Sequence, residues 1–369
     1  FWDCSAALSR TGFPVADPNR DRATCFSETM NTMRPLPRIG IVQGDACGIG
    51  PELLSKLLEH EEIHERAQLL VISDKRVFDA GSAVSEIKAN IKVISAAADI
   101  YFSPGHPQLL DTPCLDPEHI TPGEVSIEAG RAVLKTFGLA LDLAEAGTLD
   151  GICFMPFNKG AMHMAGIGAE DELTWAKQRL GITSRASEFN VIEGMWNARV
   201  TSHIPLKDVA GRLSIQHIVE AILLADQTLK KAGYANPRIA VAALNPHAGD
   251  GGAIGREEID IIQPAVIQAQ QHQVNVTGPF PSDTLYLKVR DGHYDCALSM
   301  YHDQGQIAIK LLGFDQGVSV LGGLPIPIAT PAHGTAFDIV GTNRANVQPA
   351  LNALRVVSAM ASDQPHRFA

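Results

Sequence analysis

Arg38-Ile-Gly-Ile-Val-Gln-Gly-Asp-Ala-Cys-Gly-Ile-Gly-Pro-Glu-Leu-Leu-Ser-Lys-Leu-Leu58 reads as a strand, a turn and a helix in immediate succession. Ile39-Gly-Ile-Val42 is a short apolar run of the kind a parallel sheet buries. Glycines at 44, 48 and 50 then force a tight turn. Pro51 opens a helix that runs through Leu58, a position where its missing N–H is no loss. The same alternation continues outward. Strands are expected at Leu69–Ser73, Ile91–Ile94 and Asp150–Pro156, with an amphipathic helix over Ser126–Ala146. Further on come a strand to His203, a helix over Ile215–Ala232 and a strand to His247. A helix over Glu257–Gln271, a strand at Val274–Val276, a strand before His302, a strand at Gly317–Leu321 and a last helix over Gln348–Ala361 follow. Alternating strands and helices predict an α/β protein whose helices cover both faces of the sheet.

The chain has 369 residues, enough for two domains. A hydrophobic content of 45% with 19% charged residues is ordinary for a globular protein. A net charge of -11 without a basic stripe argues against nucleic acid as a partner. No apolar run approaches the length of a membrane span. The cysteines at 4, 25, 47, 114, 153 and 296 form no CxxC pair, which fits a reducing, cytoplasmic setting. Residues 1–33 lack periodicity and read as a disordered extension or an expression artefact, with translation starting at Met30 or Met33. The remainder divides into a first domain, 34–157 plus 304–369, and a second, 158–303.

Three histidines stand out among 13. His203, His247 and His302 each follow a short apolar run, in turns rich in Pro, Gly, Asn or Asp. Ligands of open α/β sheets gather where strands end. Three imidazoles converging there, with a coordination position left open, suit a catalytic divalent metal. A single histidine is more often a surface or hydrogen-bonded core residue, so the shared context carries the reading. Other segments have a similar character. Gly44–Glu52 offers N–H groups and a helix start to an anion. Asn158-Lys159 leaves a strand end. Asn245-Pro-His-Ala-Gly-Asp-Gly-Gly packs glycines for close approach to a ligand. Tyr301-His-Asp-Gln-Gly305 precedes Lys310 by about two helical turns. His333–Asn346 is a turn-rich loop able to wrap an adenosine.

Taken together, Gly44-Asp…Gly48-Ile-Gly-Pro-Glu52, Asn245-Pro-His-Ala-Gly, Tyr301-His-Asp-Gln-Gly and His333-Gly-Thr-Ala resemble the 4-hydroxythreonine-4-phosphate dehydrogenase family, over roughly Arg38–Val357. The resemblance implies a two-domain isocitrate/isopropylmalate dehydrogenase-like fold, three-layered α/β/α, with the active site in the interdomain cleft. It implies a homodimer in which one subunit lends a histidine to the other. It implies a divalent metal on His203, His247 and His302, zinc first, with manganese, cobalt or nickel as alternatives. NAD or NADP is expected against His333, Gly334, Thr335, Asp338 and Asn346. Lys310 resembles the family's substrate-binding lysine, and Lys159, Asp283 and Asp303 are candidate catalytic groups.

The chain departs from the family where phosphate is held. The family's His-Thr pair is replaced within Gly168-Ala-Glu170-Asp171-Glu172-Leu173-Thr174, its Asn by Ser319 and its Arg by Ile328. Losing a guanidinium and gaining carboxylates disfavours a phosphate dianion by about 1–3 kcal/mol per contact. The departures therefore predict a non-phosphorylated carboxylate substrate oxidised and decarboxylated with NAD(P). The cis-dihydrodiol of terephthalate, yielding protocatechuate, is the first choice. Ile328, Leu173 and Trp175 would face its ring, and Lys159 or Arg179 its far carboxylate. The alternatives are 4-hydroxythreonine-4-phosphate dehydrogenase activity itself and, in another class, a zinc hydrolase or a non-catalytic binding protein.

Overall fold

A computed structural model describes residues 35–362. The expectation for residues 1–33 lies outside the described residues. The strands are β1 (Arg38–Val42), β2 (Gln68–Ser73), β3 (Lys92–Ile94), β4 (Gln108–Asp111), β5 (Gly151–Phe154) and β6 (Ser187–Ile192). β7 (Met195–Arg199), β8 (Ile239–Ala242), β9 (Val276–Phe280), β10 (Cys296–Ser299), β11 (Val318–Gly322) and β12 (Ile328–Pro331) complete the set. All twelve lie in one sheet, ordered β3-β4-β2-β1-β5-β12-β11-β6-β7-β10-β8-β9. Pairing is parallel except at its middle, where β12, β11, β6 and β7 run antiparallel to their neighbours in turn. The α/β class is as expected.

The strands of residues 38–154 and 318–331 fill one side of this sheet, and those of residues 187–299 fill the other. They meet at β11 and β6, paired from Val318 with Val191 to Gly322 with Ser187. Helices cover both faces. On one face, Gly50–Glu59, Ile215–Lys231, Gln263–Gln271 and Gln348–Ala361 bury a single apolar cluster running across both sides of the sheet. On the other, two clusters form. One lies under Ile127–Glu145 and Glu172–Arg179, the second under Ser282–Arg290 and His302–Gly313.

The opening strand–turn–helix forms as read, with Pro51 in the first turn of its helix. Asp45 and Gly44 fold the loop onto the end of β5: Asp45 N–H donates to the Pro156 carbonyl at 3.0 Å. Gly44 has φ +82°, and a Cβ there would fall 2.8 Å from the Met155 Cβ. The β6–β7 hairpin was not legible, because Glu188, Asn190 and Arg199 interrupt what would otherwise be apolar strands. Its two-residue turn, Glu193-Gly194, is closed by Gly194 at φ +71°. The strand expected to reach His203 ends at Arg199, and the one expected to reach His247 ends at Ala242. Both histidines therefore sit in loops beyond the ladder. The helix over Glu257–Gln271 begins with a wider turn at Glu258–Ile262 before Pro264.

Candidate functional site

Side chains alternate across a strand, so register assigns each residue to a face. On the two-cluster face, the strip between the clusters is polar. Thr330 is paired with Ser319, Ser319 with Asn190 and Asn190 with Asn197, so these four share that face. Glu188 and Arg199, two residues along their strands, share it as well. The strip lies where the two sides of the sheet meet, and its side chains are tightly bonded. Arg199 is 2% exposed. Its Nη2 donates to Glu188 Oε2 at 2.6 Å, Nη1 to Asn190 Oδ1 at 2.7 Å and Nε to Ser202 Oγ at 2.8 Å. Ser319 Oγ donates to Glu188 Oε1 at 2.5 Å, and Gln306 Nε2 donates to Asn190 Oδ1 at 2.6 Å. Burial pushes Glu188 up, but Arg199, Ser319 and Lys159 together hold it below the usual carboxylate range. Sequence reasoning passed over this ion pair. The available signal was a charged residue in each of two strand-like runs, which burial permits only when the charges are paired.

Glu172 stands close by. Burial raises its pKa, and Lys159, with Nζ 3.9 Å from Glu172 Oε2, opposes the shift. That Oε2 is buried without a hydrogen bond. Asp171 caps the helix Glu172–Arg179 through Thr174 N–H at 2.8 Å, which fixes where Glu172 and Leu173 enter. Asn158 caps the helix Lys159–Met164 in the same way and sets the start of Lys159.

The histidines take three different settings. The rings of His203 and His302 lie 5.7 Å apart, centroid to centroid. His203 Nδ1 is 3.1 Å from Glu170 Oε1, and His302 Nδ1 is 2.6 Å from Asp303 Oδ1. A carboxylate only accepts, so each Nδ1 carries a proton, and in the neutral imidazole it is Nε2 that offers a lone pair. That is the arrangement by which a carboxylate orients an imidazole toward a metal. The pair therefore fits a divalent metal. Among the described residues, no group of three His, Cys, Asp or Glu is gathered around one point within the chain. His247 is exposed in the loop Pro246–Gly252, where six successive residues from His247 to Gly252 have positive φ. Glu258 anchors this loop: its Oε1 accepts from Leu244 N at 2.9 Å and Asn245 N at 2.7 Å. Strained backbone of this kind persists only where surrounding bonds hold it.

Gln304 fixes the helix His302–Gly313 at its start. Its Oε1 accepts from Met300 N at 2.6 Å, and its Nε2 donates to the Ala243 carbonyl at 2.7 Å and to Ser282 Oγ at 2.8 Å. Asp283 is exposed in the first turn of the neighbouring helix Ser282–Arg290. Lys310 is exposed two turns beyond His302. Ile328 is fully buried, in one cluster with Ile152 and Phe154, against which Leu173 and Trp175 pack. Trp175 lies 5.7 Å from the Phe137 ring.

The His333–Asn346 loop docks on the Gly-rich turn. Ile49 N donates to the Thr335 carbonyl at 3.0 Å, and a Cβ on Gly48 would fall 2.7 Å from the Thr335 Cβ. Glu52 Oε1 accepts from Ala345 N at 2.8 Å and from Lys56 Nζ at 2.8 Å, and Lys56 also reaches the Asn343 and Ala345 carbonyls. A cavity of about 120 Å³ lies beside this junction, lined by Gly48, Pro51, Glu52, Val340 and Gly341 among others. Burial lowers the pKa of His333, whose Nδ1 faces the Gly334 carbonyl at 3.0 Å. Asp338 is exposed, and Asn346 Oδ1 accepts from Gln348 N at 3.0 Å just ahead of the last helix.

The layered sheet, with a polar site across its middle, defines an α/β enzyme, and the names of its relatives make the class that of the dehydrogenases. The chain belongs to the family described as pyridoxal phosphate biosynthetic protein PdxA, matched over residues 65–357. It is 45% identical to a Rhizobium meliloti (strain 1021) protein provisionally named 4-hydroxythreonine-4-phosphate dehydrogenase 2, over 88% of this chain and 93% of that one. A D-threonate 4-phosphate dehydrogenase from Pectobacterium atrosepticum is 36% identical over 87% of this chain and 98% of its own. Among solved structures, a 4-hydroxythreonine-4-phosphate dehydrogenase from Klebsiella pneumoniae superposes with a TM-score of 0.77. It is 34% identical and covers 88% of this chain and 99% of that one.

These likenesses overturn the aromatic substrate expected from the sequence. A terephthalate 1,2-cis-dihydrodiol dehydrogenase from Burkholderia xenovorans LB400 matches less well, at 27% identity and a TM-score of 0.62. The relatives at 36–45% identity are instead named for phosphorylated substrates. The physical reason is visible in the packing. Ile328, Leu173 and Trp175, expected to face an aromatic ring, pack into an apolar cluster of the sheet. Arg179, expected to face a carboxylate of the substrate, is bound to Asp142 by Nη2 at 2.7 Å.

Proposed function

We propose that this protein oxidises a phosphorylated threonine derivative, 4-hydroxythreonine 4-phosphate or D-threonate 4-phosphate, with NAD(P) and a divalent metal. The observation that carries the reading is the His203–His302 pair, each imidazole held by a carboxylate with its Nε2 free. His203, His302 and His247 would hold the metal, zinc before manganese, cobalt or nickel. When bound, such an ion lowers the pKa of a coordinated hydroxyl and stabilises negative charge on its oxygen.

The chain's own residues supply the rest. Glu170 and Asp303 fix the tautomers of His203 and His302. Lys159 and Asp283 would move protons, and Lys310 would meet an anionic end of the substrate. Glu172, Leu173, Ser319 and Ile328 bound the site, two by polar atoms and two by packing beneath it. The loop with His333, Gly334, Thr335, Asp338 and Asn346 receives the dinucleotide beside the start of the first helix, where N–H groups favour phosphate. Oxidising a hydroxyl β to a carboxylate yields a β-keto acid, which then loses CO2.

The expected domains, 34–157 with 304–369 and 158–303, would correspond to the two sides of the sheet, except that the helix His302–Gly313 packs with the second side; the polar strip between them would be the floor of an interdomain cleft. We also infer a homodimer. Ile307, Leu311 and Leu312 are exposed on the helix that His302 opens, with Leu311 82% exposed. A second copy covering that face would bring further histidines to the His203–His302 pair. No helix among the described residues is long and apolar enough to cross a membrane. The unpaired cysteines 47, 114, 153 and 296 support a cytoplasmic setting.

Purified protein should reduce nicotinamide, followed by near-ultraviolet absorbance, with one of the two phosphorylated substrates. Activity should vanish with a chelator and return with added metal. Metal-loaded protein that turns over neither substrate would overturn the reading.

A further inference from the structure

Ser319 occupies a position where the family resemblance places a substrate contact, and the structure fixes the polarity of that contact. Its hydroxyl proton is committed to Glu188 Oε1 at 2.5 Å. Glu188 cannot turn away, because its other oxygen is bound to the buried Arg199 at 2.6 Å, and Arg199 is held in turn by Asn190 and Ser202. Asn190 Nδ2 also donates to Glu188 Oε1, at a longer 3.2 Å, alongside the serine hydroxyl. A hydroxyl whose proton is spent offers its surroundings only lone pairs. Among the described residues, Ser319 Oγ has one other hydrogen-bond neighbour, Asn190 Nδ2, which donates to it at a long 3.4 Å.

We infer that the Arg199–Glu188 pair makes Ser319 an obligate hydrogen-bond acceptor, so that a donor group of the substrate, a hydroxyl or an ammonium, lies over it. The phosphate lies elsewhere. A phosphate oxygen placed there would meet lone pairs, with the Glu188 carboxylate behind them. Arg199 does not offset this, since its charge is matched by Glu188 and its three nitrogens are already bonded. Glu188 and Arg199 act through Ser319 and are positioning residues. The inference rests on the function proposed above and says which end of that substrate faces β11.

The test is steady-state kinetics on the metal-loaded enzyme, using whichever phosphorylated substrate the wild type oxidises, with inorganic phosphate as a competitive probe. Ser319→Ala removes the acceptor without touching the ion pair. It should raise KM by about fivefold, the scale of one lost neutral hydrogen bond, with kcat within about twofold. Ser319→Thr keeps the hydroxyl and should restore KM. Glu188→Gln lets the amide N–H₂ face Ser319, reversing the serine's polarity, and should raise KM by about tenfold. The inhibition constant of phosphate should stay the same in the Ser319 variants. A purely structural role would lower kcat through lost active protein at unchanged KM. That split, or phosphate binding that weakens in step with the substrate, would overturn the inference while leaving the proposed function standing. Failure of the wild type on both substrates would overturn the two together.

Discussion

Replacing Asp45 with Asn should stabilise the protein at neutral pH and do progressively less in acid. Asp45 is fully buried in the Gly-rich turn. Its Oδ1 accepts from Cys47 N at 2.7 Å, but its Oδ2 has no partner. Burial raises its pKa from 3.8 to about 6, and the Cys47 N–H only partly opposes this. The folded state thus binds a proton more tightly than the unfolded chain, so stability contributed by this residue falls as pH rises from about 4 to about 6. Each pKa unit corresponds to about 1.4 kcal/mol, which makes the full cost of ionising Asp45 about 3 kcal/mol above pH 6. Asparagine keeps the bond to Cys47 and carries no charge. Urea unfolding of the ligand-free protein at one concentration, at pH 4.5 and at pH 7.5, should show the variant's advantage growing by about 2 kcal/mol between them. An advantage that is independent of pH, or that shrinks as pH rises, would refute the assignment of an uncompensated buried carboxylate.

Three further outcomes are expected. Asp303→Asn should weaken metal binding, read by titration calorimetry, by about 10–100-fold, because the imidazole loses its orienting carboxylate; unchanged affinity would remove His302 from the proposed ligands. Arg199→Leu alone should cost about 3–5 kcal/mol in denaturant unfolding by stranding Glu188, whereas Arg199→Leu with Glu188→Val should cost much less; equal losses would mean that the charges are not coupled. Gly249→Ala should lower thermal stability by more than about 1 kcal/mol, since φ is +80° and the new Cβ would fall 2.7 Å from Glu258 Oε2; a neutral result would show that the loop relaxes freely.

The layering of the fold was legible because local signals agreed with it. Pro51 opens its helix, and Gln348–Ala361 forms to the residue expected. What stayed hidden was the centre of the sheet. Its strands carry Glu188, Asn190, Asn197 and Arg199, and only their mutual pairing makes burial tolerable, a fact that no local pattern contains. His203 and His302 were singled out from their turn context, and the structure does bring their rings together. Ile328 and Trp175 misled because an apolar residue at an expected contact position reads alike whether it faces a ligand or the core. Burial separates the two, and it belongs to the fold rather than to the residue.

The antiparallel ladder between β11 and β6 has a mechanical consequence. Two-lobed enzymes commonly admit their substrates by swinging the lobes apart on flexible connections. Here five consecutive residue pairs span the would-be hinge line, and spreading the halves would shear that lattice. Parting the halves along that line would cost those pairings, so the ladder gives the polar strip a stiff foundation.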